Sequence, residues 1–266
     1  MARILDKQDI TGESVMMRLE APNISAKARP GQFVILRLDE KGERIPLTIA
    51  DFDDSSVTVV FQKVGKTTCE MSRLDKGDEI LDLVGPLGNP TDTDMEGKTV
   101  CVVGGGLGTA CIYPIAKELS RKNRVIAIVG ARTKELLIWT DKLEKAAERL
   151  IICTDDGSAG RKGFVTDALN DLLEKENIDL VITVGPPVMM KFVAKTTEGR
   201  TRTIASLNPV MVDGTGMCGG CRVLVDGKVR FACVDGPEFD AHKVDFDDLM
   251  NRNRRFEEEE HECRCC

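Results

Sequence analysis

Aromatic side chains are scarce in this sequence: they make up 4% of its 266 residues, with a single Trp and a single Tyr. Broad surfaces for stacking on bases or sugars are therefore not expected. An excess of positive charge is also missing, because 44 acidic residues outnumber 37 basic ones and leave a net charge of −7. Nucleic-acid-binding proteins need a basic face that neutralises phosphates, so this balance argues against that class.

Long hydrophobic runs are absent as well. No stretch approaches the roughly 18 consecutive apolar residues that a membrane-spanning helix needs. The first residues are mostly polar and form no apolar signal core, so we predict no membrane partner and a cytoplasmic location. Hydrophobic residues nevertheless make up 42% of the chain, which is enough to bury a core.

The hydrophobic pattern divides the chain into three units and a tail. Residues 1–97 contain short apolar runs between Gly, Pro and Asp turn signals, which predicts a small β-barrel. Residues 98–207 alternate strands with helices, one of them over 136–149, which predicts an α/β domain on a doubly wound parallel sheet. Residues 208–244 are rich in Gly and Cys and are too few to fold readily without a staple such as a metal. Residues 245–266 form a charged tail with three terminal cysteines.

A glycine-rich turn follows the first strand of the α/β domain and opens its first helix. Glycine lets the main chain approach a pyrophosphate closely, and a helix N-terminus offers amide donors and positive potential. The sequence therefore predicts a nucleotide site here, with an ordinary strand–helix turn as the alternative. The candidate residues are Gly104, Gly105, Gly106, Leu107, Gly108 and Thr109.

Two more candidate turns follow later strands of this sheet, at the edge where open α/β sheets bind ligands. Their residues are Asp155, Asp156, Gly157 and Ser158 after one strand and Gly185, Pro186, Pro187 and Met189 after another. The strand after the glycine-rich turn lacks the usual acidic residue at its end and is followed by Arg132 and Lys134. These two basic residues suit the 2′-phosphate of NADP, or else they belong to a solvated loop.

Two segments of the first unit offer donors for a phosphate. They are Arg44-Ile-Pro46-Leu47-Thr48 and Gly65-Lys66-Thr67-Thr68. The second combines main-chain, ammonium and hydroxyl donors just before a predicted helix, and an Arg can add a charge-assisted bond. The alternative is that the threonines only cap that helix.

The third unit carries the most specific pattern. Two residues separate Cys218 from Cys221, and eleven separate Cys221 from Cys233. Plant-type [2Fe–2S] proteins use C-x4-C-x2-C and a later cysteine, and Asp213 stands in the first-cysteine position. The alternatives are a zinc site of the three cysteines with His242, and an Asp213 that only caps the glycine turn after it.

In this order, the motifs resemble the ferredoxin–NADP reductase superfamily, and within it the electron-transfer subunits with a C-terminal [2Fe–2S] domain. The resemblance covers about residues 1–250. It is strongest to small subunits of the NADH-dependent reduced ferredoxin:NADP oxidoreductase type, which bifurcate electrons, and to their dihydroorotate and sulfide dehydrogenase relatives. The change of cysteine to aspartate at Asp213 separates this group from the four-cysteine dihydroorotate type.

The resemblance implies FAD between the first two units, NAD(H) on the glycine-rich turn, and a cluster on Asp213 and the three cysteines. It implies a heterodimer with a larger flavin and iron–sulfur subunit, through which electrons reach ferredoxin and NADP(H). The cofactors carry the hydride and the electrons, so no catalytic side chain is predicted.

Two positions depart from the superfamily pattern: Leu47 replaces a flavin-stacking Tyr, and Val184 replaces the Cys of a Cys-Gly-Pro motif. Two other functions stay open. One is the same module in dihydroorotate or sulfide dehydrogenase, and the other is a zinc-stapled, nucleotide-sensing module without enzymatic activity.

Overall fold

The computed structural model describes residues 1–255, and its first unit is an antiparallel sheet that curls into a nearly closed barrel. Its elements are β1 (Ala2–Asp9), β2 (Ser14–Glu20), α1 (Pro22–Ser25), β3 (Phe33–Arg37), β4 (Ile45–Phe52), β5 (Ser56–Gln62), α2 (Lys66–Met71), β6 (Glu79–Ile80) and β7 (Asp82–Leu87). The strand order is β6-β1-β2-β5-β4-β3-β7. Because the outer strands β6 and β7 are consecutive in the chain, the two edges of the sheet lie close together. The predicted barrel is confirmed.

Alternating apolar residues explain which face of this sheet turns inward. Along β2, Val15, Met17 and Leu19 are fully buried. In the antiparallel register they lie opposite Phe61, Val59 and Val57 of β5, which are buried as well. Since side chains alternate across a strand, one face of each strand fills the barrel interior.

The second unit is a parallel sheet with helices on both faces. Its elements are β8 (Thr99–Gly105), α3 (Gly108–Leu119), β9 (Arg124–Ala131), a 3₁₀ turn (Lys134–Leu136), α4 (Thr140–Ala146), β10 (Arg149–Thr154), β11 (Arg161–Lys162), α5 (Val165–Lys175), β12 (Leu180–Val184), α6 (Pro187–Thr197) and β13 (Arg202–Ser206). The strand order is β11-β10-β9-β8-β12-β13. The winding reverses at β8, between β9 and β12, and such a reversal opens a crevice at the carboxyl ends of the strands. The predicted doubly wound sheet is confirmed.

One predicted helix of this unit is shorter than expected. The pattern over residues 136–149 predicts a single helix, but the structure has the 3₁₀ turn at Lys134–Leu136 and then α4 over Thr140–Ala146. Leu137 is extended and Trp139 has a φ of +51°, so the chain turns sharply before α4 begins. At its other end α4 stops because Arg149 already starts β10.

The third unit consists of β14 (Arg222–Val225), β15 (Lys228–Phe231), β16 (Glu238–Asp240), a 3₁₀ turn (Ala241–Lys243) and α7 (Phe246–Asn253). The hairpin turns at Asp226 and Gly227, both with positive φ, as a two-residue hairpin turn requires. β16 adds antiparallel to β13, so the third unit extends the parallel sheet. Helix α7 lies in the segment that we treat from sequence as a charged tail, while Cys263, Cys265 and Cys266 lie outside the described residues.

The small third unit shares its core with both larger units. Cys221, Cys233 and Phe246 pack in one cluster with Phe33 and Ile35 of the barrel. The same cluster contains residues of α6 and β13 in the α/β domain. Burial is therefore shared, which suits a unit too small to form a core alone. Within residues 1–255, no helix has the length and apolar character needed to cross a membrane.

Candidate nucleotide, flavin and cluster sites

A cleft of about 650 Å³ opens at the carboxyl ends of the parallel strands and extends to the barrel. It brings together residues from all three predicted turns of the α/β domain and from the basic segment after β9. These are Gly105, Gly106, Leu107, Arg132, Asp155, Pro186 and Met189. Glu13, Ser14 and Gln62 reach the cleft from the barrel. The remaining predicted residues of these turns do not line the cleft. They are Gly104, Gly108, Thr109, Asp156, Gly157, Ser158, Gly185 and Pro187.

Two glycines of the first turn have separate roles. Gly106 has a φ of +55°, and a Cβ built there would have no neighbour within 4 Å, so it borders open space. A Cβ at Gly108 would lie 2.0 Å from the carbonyl oxygen of Val184, so helix α3 packs directly on β12. No side chain caps the N-terminus of α3. The amides of Thr109 and Ala110 already donate to the carbonyls of Gly106 and Leu107, but the positive end of α3 and the close main-chain approach at Gly106 fit a pyrophosphate.

The turn after β10 is held against the segment that follows β9. The Ser158 hydroxyl accepts the Lys134 amide at 2.8 Å and donates to Asp156 at 2.6 Å. The Ser158 hydroxyl, and then its amide, hold the pKa of Asp156 below its usual range. Asp156 and Ser158 thus stabilise the turn, whereas Asp155 lines the cleft together with Arg132. The cleft therefore has an acidic residue after β10, although none follows β9.

Two exposed phenylalanines line the cleft, and the sequence analysis misses both. Phe164 is 65% exposed just before α5, and Phe192 is 53% exposed on α6. A planar base could stack on such rings. The sequence feature that could have identified these two phenylalanines is their position in or next to the helices that follow the predicted turns, in a chain with few aromatic residues.

The first barrel segment lies between the other two units. Pro46, Leu47 and Thr48 lie on β4, opposite Ile35, Val34 and Phe33 of β3 in the same order. Strand β4 also packs against α3 of the α/β domain. There burial raises the pKa of the Cys111 thiol, and the neighbouring Thr48 of β4 lowers it by less. The sequence analysis places no functional residue at Cys111, because the contact joins positions far apart in the chain.

The second barrel segment forms the start of α2, with Gly65 as its N-cap. The Thr68 hydroxyl accepts the Gly65 amide at 3.1 Å and so closes the first turn of the helix. The Thr67 hydroxyl donates to Glu43 at 2.6 Å, which brings the segment of Arg44 beside this turn. Arg44 and Lys66 are exposed. Neither threonine is the N-cap, but Thr68 has the structural role that we gave as the alternative.

The three cysteines of the third unit lie on one loop and its hairpin. The Cys221 thiol donates to Cys233 at 3.2 Å, and both are buried. Cys218 is exposed, and its sulfur accepts the Gly220 amide at 3.4 Å. Main-chain amides aimed at sulfur and several thiols on a glycine-rich loop are the chemistry of an iron–sulfur site, so the cysteines fit a cluster.

The carboxylate of Asp213 is turned toward the main chain. Its two oxygens accept the amides of Thr215 at 2.7 Å and Cys218 at 2.6 Å. The Thr215 amide, followed by that of Cys218, holds the pKa of Asp213 below its usual range. Over residues 1–255, no three His, Cys, Asp or Glu side chains are grouped closely enough to hold a metal ion. Asp213 therefore caps the loop in this structure.

His242 does not join the cysteines. Its Nε2 lies 3.0 Å from the hydroxyl of Thr197 at the end of α6, and its own amide donates to Asp240. Its ring is thus engaged with the α/β domain, and the structure does not support the alternative zinc site of three cysteines and His242.

Comparisons with known proteins give the family. Residues 208–245 match the iron-sulfur cluster binding domain of dihydroorotate dehydrogenase B, and residues 102–195 match the oxidoreductase NAD-binding domain. A dihydroorotate dehydrogenase B (NAD(+)) electron transfer subunit homolog of Thermotoga maritima is 49% identical over 97% of this chain and 92% of its own length. The chain belongs to the family of dihydroorotate dehydrogenase B electron-transfer subunits. The resemblance found from sequence is confirmed, and the zinc-stapled, non-enzymatic alternative is wrong.

Solved structures agree with this assignment. A chain from the structure of an NADH-dependent reduced ferredoxin–NADP oxidoreductase, studied for flavin-based electron bifurcation, has a TM-score of 0.93 and 46% identity, covering 99% of this chain and 96% of that one. A ferredoxin NADP⁺ reductase of Neisseria gonorrhoeae has a TM-score of 0.64 at 17% identity, covering 77% of this chain and 98% of that one, which shows a shared fold. The protein is thus an oxidoreductase subunit with an NAD-binding domain and an iron–sulfur domain.

Proposed function

We propose that this subunit passes electrons between NAD(H) and a larger flavin and iron–sulfur subunit, through FAD and then a [2Fe–2S] cluster. One observation carries the proposal. Strand β4 packs against α3, the helix that follows the glycine-rich turn of the nucleotide cleft, and it also pairs with β3, whose Ile35 lies in the core of Cys221 and Cys233. A flavin bound along β4 has the nucleotide cleft on one side and the cysteine loop on the other.

Each unit binds one group in this proposal: residues 1–97 the flavin, 98–207 the nucleotide, and 208–244 the cluster. The positive end of α3 holds the pyrophosphate of NAD(H), and the cleft orients its nicotinamide toward the barrel. Arg44, Lys66 and the exposed amides of α2 bind the FAD phosphates. The flavin supplies the chemistry that links two-electron to one-electron transfer, and no side chain of this chain needs to act as acid or base.

For the cluster, we propose Cys218, Cys221, Cys233 and Asp213 as the residues that hold it. The thiol pair is already within contact distance, and Asp213 hydrogen-bonds to the amide of Cys218. Binding of iron by Asp213 requires that its carboxylate exchange at least one main-chain hydrogen bond for the metal. Iron ligation and loop capping are therefore alternatives for the same oxygen.

We propose NAD(H) rather than NADP(H) as the nucleotide. Arg132 favours a 2′-phosphate, but Asp155 lines the same part of the cleft and its carboxylate repels one. The experiment is stopped-flow reduction of the bound flavin, and we expect NADH to be favoured about tenfold, or 1.4 kcal/mol. The matched variants are Asp155→Ala and Arg132→Ala. A preference for NADPH that Arg132→Ala abolishes would reverse the assignment.

The larger partner decides the second substrate. Likeness to a bifurcating ferredoxin–NADP oxidoreductase supports ferredoxin and NADP(H) as substrates of that partner, and the family's name keeps dihydroorotate as the second candidate. Purification of the complex from its native cell distinguishes them. A partner with ferredoxin-type cysteine clusters supports the first function, and a dihydroorotate-oxidising partner supports the second. We propose a cytoplasmic location, where reduced thiols persist.

A further inference from the structure

Helix α7 ends beside the cysteine loop and is anchored by apolar packing, an N-terminal cap and an ion pair. Phe246 and Leu249 are buried in the core that contains Cys221. Asp245 caps the helix by accepting the Asp248 amide at 2.9 Å. Asp247 pairs with Lys191 of α6 at 2.7 Å, which ties α7 to the α/β domain.

Because α7 is anchored in this way, the guanidinium of Arg252 lies against the main chain around Cys221. The Nε of Arg252 donates to the carbonyl of Arg222 at 3.0 Å, and an Nη donates to the carbonyl of Gly220 at 3.3 Å. The two carbonyls lie on either side of Cys221. Because the C=O and N–H of a trans peptide point in opposite directions, the bond to the Gly220 carbonyl turns the amide of Cys221 away from α7.

We propose that Arg252 is a positioning residue for the cysteine loop, which fixes the peptide that precedes Cys221 and the peptide that follows Arg222, and which raises the reduction potential of the cluster that the loop holds. The inference rests on the proposed iron–sulfur site. Net charge and hydrogen bonding around a cluster tune its potential, and a nearby positive charge favours the reduced form, which carries one more negative charge. Arginine suits both tasks, because its planar fork binds two acceptors and keeps its charge.

The test is an EPR-monitored redox titration of the full-length, cluster-loaded protein. At the wild-type midpoint potential, we expect Arg252→Gln to lower the ratio of reduced to oxidised cluster about tenfold, equivalent to 59 mV for one electron. Arg252→Lys keeps the charge but loses the fork, so we expect a smaller change, about threefold. The matched control is Arg254→Gln on the same helix. Its side chain is exposed and makes no hydrogen bond or ion pair with any residue in 1–255, and we expect the ratio to stay within twofold.

Three outcomes would overturn the inference. The first is a potential unchanged in Arg252→Gln, and the second is an equal shift in Arg254→Gln, which would show a general charge effect. The third is loss of the folded state, by circular dichroism, in both Arg252 variants, which would make Arg252 a residue of the whole fold. If only Arg252→Gln fails to fold, the redox titration of Arg252→Lys decides whether the inference holds. A wild-type protein that shows no [2Fe–2S] signal refutes the proposed cluster site instead, so the two failures are distinguishable.

Discussion

The nucleotide cleft and the cysteine loop lie in one chain but are built differently. The cleft consists of main chain at the ends of parallel strands, and β8 beneath it is buried almost throughout. The loop from Asp213 to Cys221 has no regular secondary structure, and its neighbours come from the barrel, the α/β domain and α7. Local backbone geometry therefore sets the first site, whereas long-range packing sets the second.

The comparison predicts how each site responds to change. A substitution in the cleft acts through the turn that it alters, because strands and helices around it are rigid. A substitution near the loop acts through contacts between units, and Arg252 on α7 and Asp213 within the loop affect the same thiols.

Asp213→Ala has the largest expected effect, which is loss of the cluster or its rapid release. The substitution removes the proposed oxygen ligand and both hydrogen bonds that hold the loop. Asp213→Cys should keep a [2Fe–2S] cluster with altered g-values, because a thiolate replaces the carboxylate. Iron content and EPR spectra measure both. The control is Asp235→Ala. Asp235 follows the β14–β15 hairpin, and the variant loses a similar hydrogen bond, which the Phe231 amide donates to its carboxylate at 2.7 Å. Equal cluster loss in that control would mean that the protein retains its cluster through main-chain capping by aspartate and not through iron ligation by Asp213.

Gly108→Ala should lower the free energy of unfolding by about 3 kcal/mol, because the new Cβ would lie against the main chain of β12 and force α3 outward. NADH should no longer reduce the flavin efficiently, while the EPR signal of the cluster should survive. Urea unfolding and flavin reduction measure the two effects. Gly12→Ala is the control, since a Cβ there meets nothing within 4 Å. Loss of the cluster together with NADH reactivity would show that the two sites are not independent.

Glu238→Gln tests a buried contact between the first and third units, where Thr91 donates to Glu238 on β16 at 2.6 Å. Burial raises the pKa of Glu238 to about 7, against roughly 4.3 in an unfolded chain. The folded protein binds the proton more tightly, so stability should fall as pH rises from about 4.5 to 7. Since the glutamine cannot ionise, the variant should gain roughly 3 kcal/mol over wild type at pH 8 and about 1 kcal/mol at pH 5. Urea unfolding at both values checks this, and an unchanged pH slope would contradict it.

The threonines of α2 have the smallest expected effects on stability. Their variants test whether the segment Gly65-Lys66-Thr67-Thr68 binds FAD. Thr68→Val should cost about 1 kcal/mol, because the first turn of α2 loses its cap. Thr67→Val should leave that cap intact and lower flavin occupancy, and the double variant should lose FAD while the protein stays folded. Flavin absorbance per protein and urea unfolding separate the two roles. If the double variant keeps its full flavin absorbance per protein, Thr67 and Thr68 do not belong to the flavin site.

The two regions also differ in how far they could be predicted. The strand–glycine–helix order at Gly104–Thr109 and the spacing of the cysteines are local patterns, and both matched their family domains. The position of Asp155 beside Arg132 was not predictable, because it depends on β9 and β10 being neighbours in the sheet. The contact of Cys111 with Thr48 joins the two larger units and likewise leaves no local signal.

By itself, the sequence determined the three units, the barrel and parallel sheet, and the residue types offered to nucleotide, flavin and cluster. These follow from hydrophobic period, glycine placement and cysteine spacing, which act over a few residues. Only the tertiary structure decided that α7 is a helix packed on the cysteine loop, that Arg252 reaches the carbonyls around Cys221, and that Ile35 joins the barrel to the cysteine core. These contacts depend on how whole elements pack, and their free energy comes from burying apolar surface shared between units that are distant in the chain.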